Sequence, residues 1–373
     1  MKPVHSSRLE CWLGRDQVES LSRNFTTWYG PPVKLIDVPG NVWVTGGGDF
    51  VGSFSRGSFG SMFDAFADYL KRLDRAIITP RPAFLGAGFA SISDALSRAS
   101  QGYSQALNGN NQKVGATGIA ASAFSLWRLG NTPAAGSASS AAPGGRAPTS
   151  ATTGALAFTN AAGSDTLHLV GADMGASVAA NALLLYDRIF DVVKTMNSTS
   201  AESVTGVPTR YQSTTSTAMD YAGGNFVFPE VGGTALAATA HNWTVNYTDQ
   251  GGTTAQTSAT VAGNSGAIVD RIDLPTSTWF MPLATDDTGI QKLESMTCSA
   301  LVATGAVNFV MGHPIGVMAF PLASLIYPFD WLTNRNPAPR IFNDACLALM
   351  ELPKPSSGVC SYFGQIYATS AAP

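Results

Sequence analysis

Charged side chains are scarce in this 373-residue chain: Asp, Glu, Lys and Arg make up 13% of it, about half the ~25% of an average soluble domain. The 22 basic and 25 acidic residues leave a net charge of −3. That balance lacks the clustered Lys and Arg needed to neutralise a phosphate backbone, so direct nucleic-acid binding is not expected. Four histidines, His5, His168, His241 and His313, form neither an H-E-x-x-H motif nor an i, i+4 pair. Four cysteines, Cys11, Cys298, Cys346 and Cys360, are far apart with no C-x-x-C, which argues against a zinc site. Cys298 and Cys346 lie in alternating apolar runs and are expected to be small buried residues, free of disulfides if the chain is made in a cytoplasm. The opening MKPVHSSRLECW has no apolar core of signal-peptide length. No phosphate-loop motif is present, and Gly46-Gly47-Gly48 lacks the strand, helix and downstream acid of a dinucleotide site.

The longest stretch without charge runs from Ser295 to Phe329. Its length invites a membrane span, but Pro314, Pro321 and Pro328 would interrupt any ~20-residue apolar helix. Strands of a protein core, with the prolines at their ends, are the expectation, and Val307 and Phe309 should share one buried face.

What is plentiful is small and hydroxyl-bearing: 38 glycines and a 45% hydrophobic content stand beside many Ser, Thr and Ala. A surface of that kind is either sparsely charged or covered by other subunits, since Ser, Thr and Gly pack without the cost of burying a charge. Residues 46–60 interleave glycine with phenylalanine and read as a loop. Residues 61–76 place Met62, Phe63, Phe66, Leu70 and Leu73 on one face at helical spacing, and Pro80-Arg81-Pro82 ends that helix. A short helix is expected at 91–100. Residues 130–154, GNTPAAGSASSAAPGGRAPTSATTG, cannot build a core; they read as a linker or as an extended arm ordered by a neighbour. A second helix is expected over 176–195, where Leu183, Leu184, Ile189, Val192 and Val193 recur.

After Gly233 the texture becomes β. In HNWTVNYT, Trp243, Val245 and Tyr247 alternate with polar residues, the period of a half-buried strand; TDQGGT is turn chemistry, and TAQTSATVA returns. Further strands are expected at 278–283, 293–301, 306–311, 316–320, 346–352 and 360–368. The fold class is therefore α+β, mainly β: a C-terminal antiparallel, jelly-roll-like β-sandwich behind an N-terminal region with one or two helices and extended arms. Three regions follow, 1–120, 121–232 and 233–373.

The one catalytic temptation is Gly263-Asn264-Ser265-Gly266 with Ala240-His241, which mimics the nucleophile and base turns of serine proteases. One hairpin between His241 and Ser265 leaves no room for an acid, so a plain turn is expected. Asp286-Asp287 lacks EF-hand spacing and reads as a solvated turn. His313, before Pro314, reads as a hydrogen-bonded core or turn residue. Trp243, Trp279 and Trp331 could provide stacking platforms for sugars, although Trp243 alternates with polar neighbours as a core residue does. No catalytic, cofactor or metal residue is assigned, and enzymatic activity is not expected.

Seven segments carry a resemblance: LWRLGNTPAAG (126–136), TTGALAFTNAAG (152–163), LLLYDRIFDVV (183–193), PTRY (208–211), VNYTDQGGT (245–253), MPLATDDTGIQKLESM (281–296) and NDACLALMEL (343–352). In this order they are similar to structural proteins of tailed bacteriophages, over about two thirds of the chain. The resemblance implies a virion subunit assembled in the host cytoplasm, without cofactor, in a symmetric homo-oligomer that contacts its own copies and other virion proteins. A capsid-associated role, shell or cement, is the first expectation. A tail or fibre component with a carbohydrate- or receptor-binding sandwich is the second.

Overall fold

A computed structural model describes residues 34–38, 41–46, 48–55, 88–89, 91–107, 113–114, 118–218, 220–334 and 338–372. The chain divides into two compact units, Met1–Arg75 and Ala76–Pro373. The helix expected at 61–76 and Cys11 lie outside the described residues.

In the first unit, β1 (Lys34–Val38), β2 (Asn41–Gly46) and β3 (Gly48–Ser55) form an antiparallel meander. The loop expected at 46–60 is thus corrected over most of its length. The β2 partner supplies a full backbone ladder, from Asn41 opposite Ser55 to Thr45 opposite Val51, and that outweighs the local preference of the glycines.

The first helix among the described residues of the second unit is α1 (Ile92–Arg98), as expected, capped by the Ser91 hydroxyl, which accepts from the Asp94 N–H. The rest is mainly β, and its strands are β4 (Ser104–Leu107), β5 (Lys113–Val114), β6 (Phe124–Ser125), β7 (Thr166–Ala176) and β8 (Asn181–Thr195). Next come β9 (Glu202–Ser203), β10 (Phe226–Val231), β11 (Asn242–Asp249), β12 (Gln256–Thr257), β13 (Val261–Ala262) and β14 (Ile290–Cys298). The last are β15 (Ala306–Phe320), β16 (Ile326–Asp330), a helical turn α2 (Trp331–Asn334), β17 (Arg340–Ile341), β18 (Leu347–Glu351) and β19 (Ser361–Ala371). They build three antiparallel sheets, ordered β10-β15-β8-β18-β6, β12-β11-β14-β9 and β16-β7-β19-β4.

The helix expected over 176–195 is strand β8. Its Leu and charge spacing does fit a helix, but tertiary pairing wins: β8 lies between β15 and β18 and is buried along nearly its whole length. A strand covered on both faces loses the period-2 signal and reads as a continuous apolar run. The boundary set at 232/233 also falls away as a structural division, because β7 and β8 share sheets with β15, β18 and β19.

The two strands expected at 306–311 and 316–320 are one, β15, and Pro314 sits inside it. Irregular pairing makes that possible. Ile189 bulges from β8 between the pairs Met311–Phe190 and Gly312–Arg188, and Ile315 bulges from β15 between Pro314–Tyr186 and Gly316–Leu185. A bulge leaves a residue unpaired and tolerates a missing N–H. Gly312 is needed there, because a Cβ would come within 2.8 Å of the Tyr186 ring. Pro321 follows the strand end, while Pro328 lies in β16 at a sheet edge. No strand forms at 278–283; Met281 N–H bonds only to the Val227 carbonyl.

Apolar contacts cover both faces of the β10-β15-β8-β18-β6 sheet. On one side, Leu183, Leu185, Met318, Phe320, Leu347 and Leu349 join Leu167, Leu169, Met174, Tyr362 and Ile366 of β7 and β19 in one cluster. On the other, Phe309 meets the edge of Trp243 from β11, with ring centroids 5.2 Å apart. Val307 and Phe309 are fully buried, as expected.

Phe309→Ala should leave a cavity beneath Trp243 and lower unfolding stability by ~3–5 kcal/mol, and Phe309→Asp should cost more because it buries an unpaired charge. Urea denaturation of both variants measures this; unchanged midpoints would contradict the packing described.

Candidate functional site

Strand β8 places Asp187, Arg188, Asp191 and Lys194 in the interior, all fully buried. Each charge has a partner brought from elsewhere in the sequence. Arg210 grips Asp187 with two bonds, Nε to Oδ2 at 2.8 Å and Nη2 to Oδ1 at 2.7 Å, and the Cys346 N–H donates to the same Oδ1 at 3.0 Å. Arg188 donates through Nε to Asp191 at 2.8 Å and through Nη1 to Glu230 at 3.1 Å, with its guanidinium 4.8 Å from the Trp127 ring centroid. Arg146 closes the group with a two-pronged contact to Asp191, at 3.1 and 2.7 Å. Asn308 donates to Glu230 at 3.0 Å. Lys194 reaches Glu202 at 2.8 Å.

Electrostatics follow from this closure. Burial pushes the Asp187 carboxyl up, and the Arg210 bonds and Cys346 amide only partly oppose it. Burial would lower Arg188, but Glu230 and Asp191 outweigh it and raise it well above the ordinary arginine range. Such a constellation has no open coordination position and no water-facing nucleophile. Its chemistry is that of an internal clamp.

Arg146 belongs to residues 130–154, expected as a linker or intermolecular arm. In this chain the segment lies against its own β8. Arg146 and Asp191 exchange backbone bonds, each at 2.8 Å, and Val193 N–H donates to the Ser140 carbonyl at 2.8 Å. Its neck is closed as well: Leu126 N–H bonds to Leu349 and Leu156 N–H to Leu347, both on β18. The segment covers the side of β8 beyond the last β18 pair, Leu347–Asp187. Composition correctly reports that it builds no core; the half of β8 that β18 leaves unpaired supplies the partner that composition cannot show.

The protease-like turn also gains a partner that sequence reasoning missed. His241 Nε2 lies 2.7 Å from Asp273 Oδ2, and its Nδ1 lies 2.9 Å from the Thr239 carbonyl. The acid was sought between His241 and Ser265 and lies beyond both. Ser265 is exposed whereas His241 is buried. Both ring nitrogens are already engaged, one with the Asp273 carboxylate and the other with the Thr239 carbonyl, rather than with a hydroxyl.

The other candidates are structural. The Asp287 carboxylate accepts from the Tyr247 hydroxyl, and Asp286 is exposed in the turn. His313 stacks on Tyr211, with centroids 3.7 Å apart, and Nδ1 contacts Asn225 Oδ1 at 2.7 Å. His168 is held between the Thr166 hydroxyl and the Ala338 carbonyl, and burial lowers its pKa. Trp243, Trp279 and Trp331 are buried, so none offers a surface platform for a sugar. Cys298, Cys346 and Cys360 are free and buried; burial pushes the Cys346 thiol up to about 12. Among the described residues, no group of three or more His, Cys, Asp or Glu could hold a metal ion, and no helix is long and apolar enough to cross a membrane. An open groove of about 330 Å³ lies beside α1, lined mainly by apolar residues including Leu96, Val170, Leu332 and Tyr367.

Comparison with protein-family models, curated proteins and solved structures finds no match in any of the three.

Arg146→Ala should free the 130–154 segment while leaving the sheets intact, so limited proteolysis should cut there in the variant and spare the parent; equal cutting of both would remove the clamp role. Arg210→Ala strands the Asp187 carboxylate and should cost ~3–5 kcal/mol near neutral pH. Because the folded pKa of Asp187 is raised, protonation favours the fold. The deficit should therefore shrink as pH falls toward the ordinary aspartate value and grow as pH rises through the folded one, as denaturant titrations across pH will show.

Proposed function

We propose that this chain is a structural subunit of a tailed-bacteriophage particle, capsid-associated as shell or cement, that acts through contacts with its own copies and with other virion proteins. The observation that carries the reading is where the phage-like segments go. Five of the seven meet around Asp187 and β18: Leu126 and Leu156 bond to β18, Asp187 holds Arg210 of PTRY, and Cys346 of NDACLALMEL closes the ring. The remaining two pair with each other as β11 and β14, Tyr247 opposite Leu293. The segments that carry the resemblance thus build the framework of the interior, which supports an architectural role over a catalytic one.

The same reading takes the facing sheets around the shared apolar cluster as a jelly-roll-like β-sandwich, an architecture suited to shells. Charge distribution is also in keeping with it. Among the described residues, Arg188, Lys194, Arg210, Lys354, Asp187, Asp191, Asp249, Asp270, Asp273, Glu230 and Glu351 are buried, which keeps these ions off the surface of a chain already poor in charge. Such a surface can be covered by neighbours without stranding ions.

Gradient-purified particles of the phage that carries this gene should contain the chain in many copies per DNA-filled head, as quantitative peptide mass spectrometry of heads and tails separated after mild disruption would record. Recovery with the tails alone would shift the role to a tail or fibre component. Absence from both fractions would overturn the proposal.

A further inference from the structure

The His241–Asp273 pair contributes nothing to the clamp on β8, yet it ties three stretches of chain together. Asp273 Oδ2 receives both the His241 ring and the Trp243 indole N–H, the latter at 2.8 Å, while Oδ1 accepts from the Asn264 N–H at 2.6 Å. Asn264 Nδ2 donates to the Leu274 carbonyl at 2.6 Å, and Arg271 Nη2 donates to Asn264 Oδ1 at 2.9 Å. The loop before β11 and the turn after β13 are laced by further bonds: Gly263 N–H to the His241 carbonyl, Leu236 N–H to Ala267 and Gly266 N–H to Ala237. The turn presses directly on the ring, since a Cβ at Gly263 would fall 2.2 Å from His241 Nε2.

The chemistry of the two acceptors decides the state of the ring. The Thr239 carbonyl and the Asp273 carboxylate can only accept, so both contacts are hydrogen bonds only if both nitrogens carry protons, that is, if His241 is an imidazolium. Removing one proton leaves a nitrogen lone pair facing an oxygen at under 3 Å, in a buried site where an unmade bond is costly.

We propose that His241 and Asp273 form a proton-dependent latch, which holds the 236–241 loop and the 263–267 turn closed on β11 when His241 is charged and loosens both when it is neutral. Asp273 is the charge that faces the ring. Arg271 and the Cys298 thiol act on Asp273 from its other sides, Lys194 acts on that thiol, and the Trp243 ring lies edge-on to His241 with centroids 5.2 Å apart. Burial by itself would lower the His241 pKa, but the Asp273 bond, the Thr239 bond and the Asp273 charge outweigh it and raise it above 6.5. The latch is therefore fully set below the ordinary histidine value and lost as pH rises through the folded one.

Two measurements on the full chain test this: the NMR titration of the His241 ring nitrogens, and hydrogen exchange of peptides spanning 236–241 and 262–267 between about pH 5.5 and 9, corrected for intrinsic rates. Protection in those peptides should fall by roughly tenfold or more as the ring loses its proton, with β8 and β15 peptides unchanged. His241→Gln should leave the same peptides unprotected at every pH. A neutral ring at the acid end, or protection that stays flat while the ring titrates, would overturn the latch. Should the variant fail to fold, the wild-type titration and exchange profile still decide.

Discussion

The structure depends on neutralising the charges that β8 carries through the interior. A central strand with Asp187, Arg188, Asp191 and Lys194 on it would be untenable alone, since a buried unpaired ion costs several kcal/mol. Every partner therefore becomes obligatory, and each lies on a different element: Arg210 in a connecting segment, Glu230 on β10, Arg146 in the glycine- and alanine-rich segment, Glu202 on β9. Apolar burial holds the sheets together without direction; these pairs specify which segment sits where. Specificity is the better-supported role for buried ions, because an apolar replacement of the same shape often matches their stability.

That constraint explains how so plain a segment as 130–154 acquires a fixed place. Its small residues lie close against neighbouring backbone, as at Gly154, where a Cβ would meet Gly136 Cα at 2.2 Å, and its single arginine fixes the register. Order is imposed by the strand it covers. The same logic holds at the outer loops, where Asp273 gathers a histidine, an indole and a backbone amide. In both places one carboxylate organises polypeptide that has no core of its own.

An interior organised by closed polar clusters leaves activity to the surface. The buried indoles and thiols, the occupied imidazoles and the paired carboxylates are committed to the fold. What the exterior offers is breadth: hydroxyl-bearing strands, short sheet edges and an apolar groove beside α1.

The sequence by itself determined the β character of the C-terminal part, the core role of Trp243, Phe309, Cys298 and Cys346, and the short helix near residue 92. Those features are local, such as a period of two or an apolar run. Tertiary structure decided what β8 is, because its Leu and charge spacing satisfies a helix as well as a doubly buried strand, and only non-local partners break the tie. It also decided that Pro314 could lie within a long strand, since paired bulges cannot be seen in one strand alone, and that Asp273 rather than any nearer acid meets His241. Local periodicity records which face a side chain prefers; it does not record which distant residue will neutralise a charge, and in this protein that choice sets the architecture.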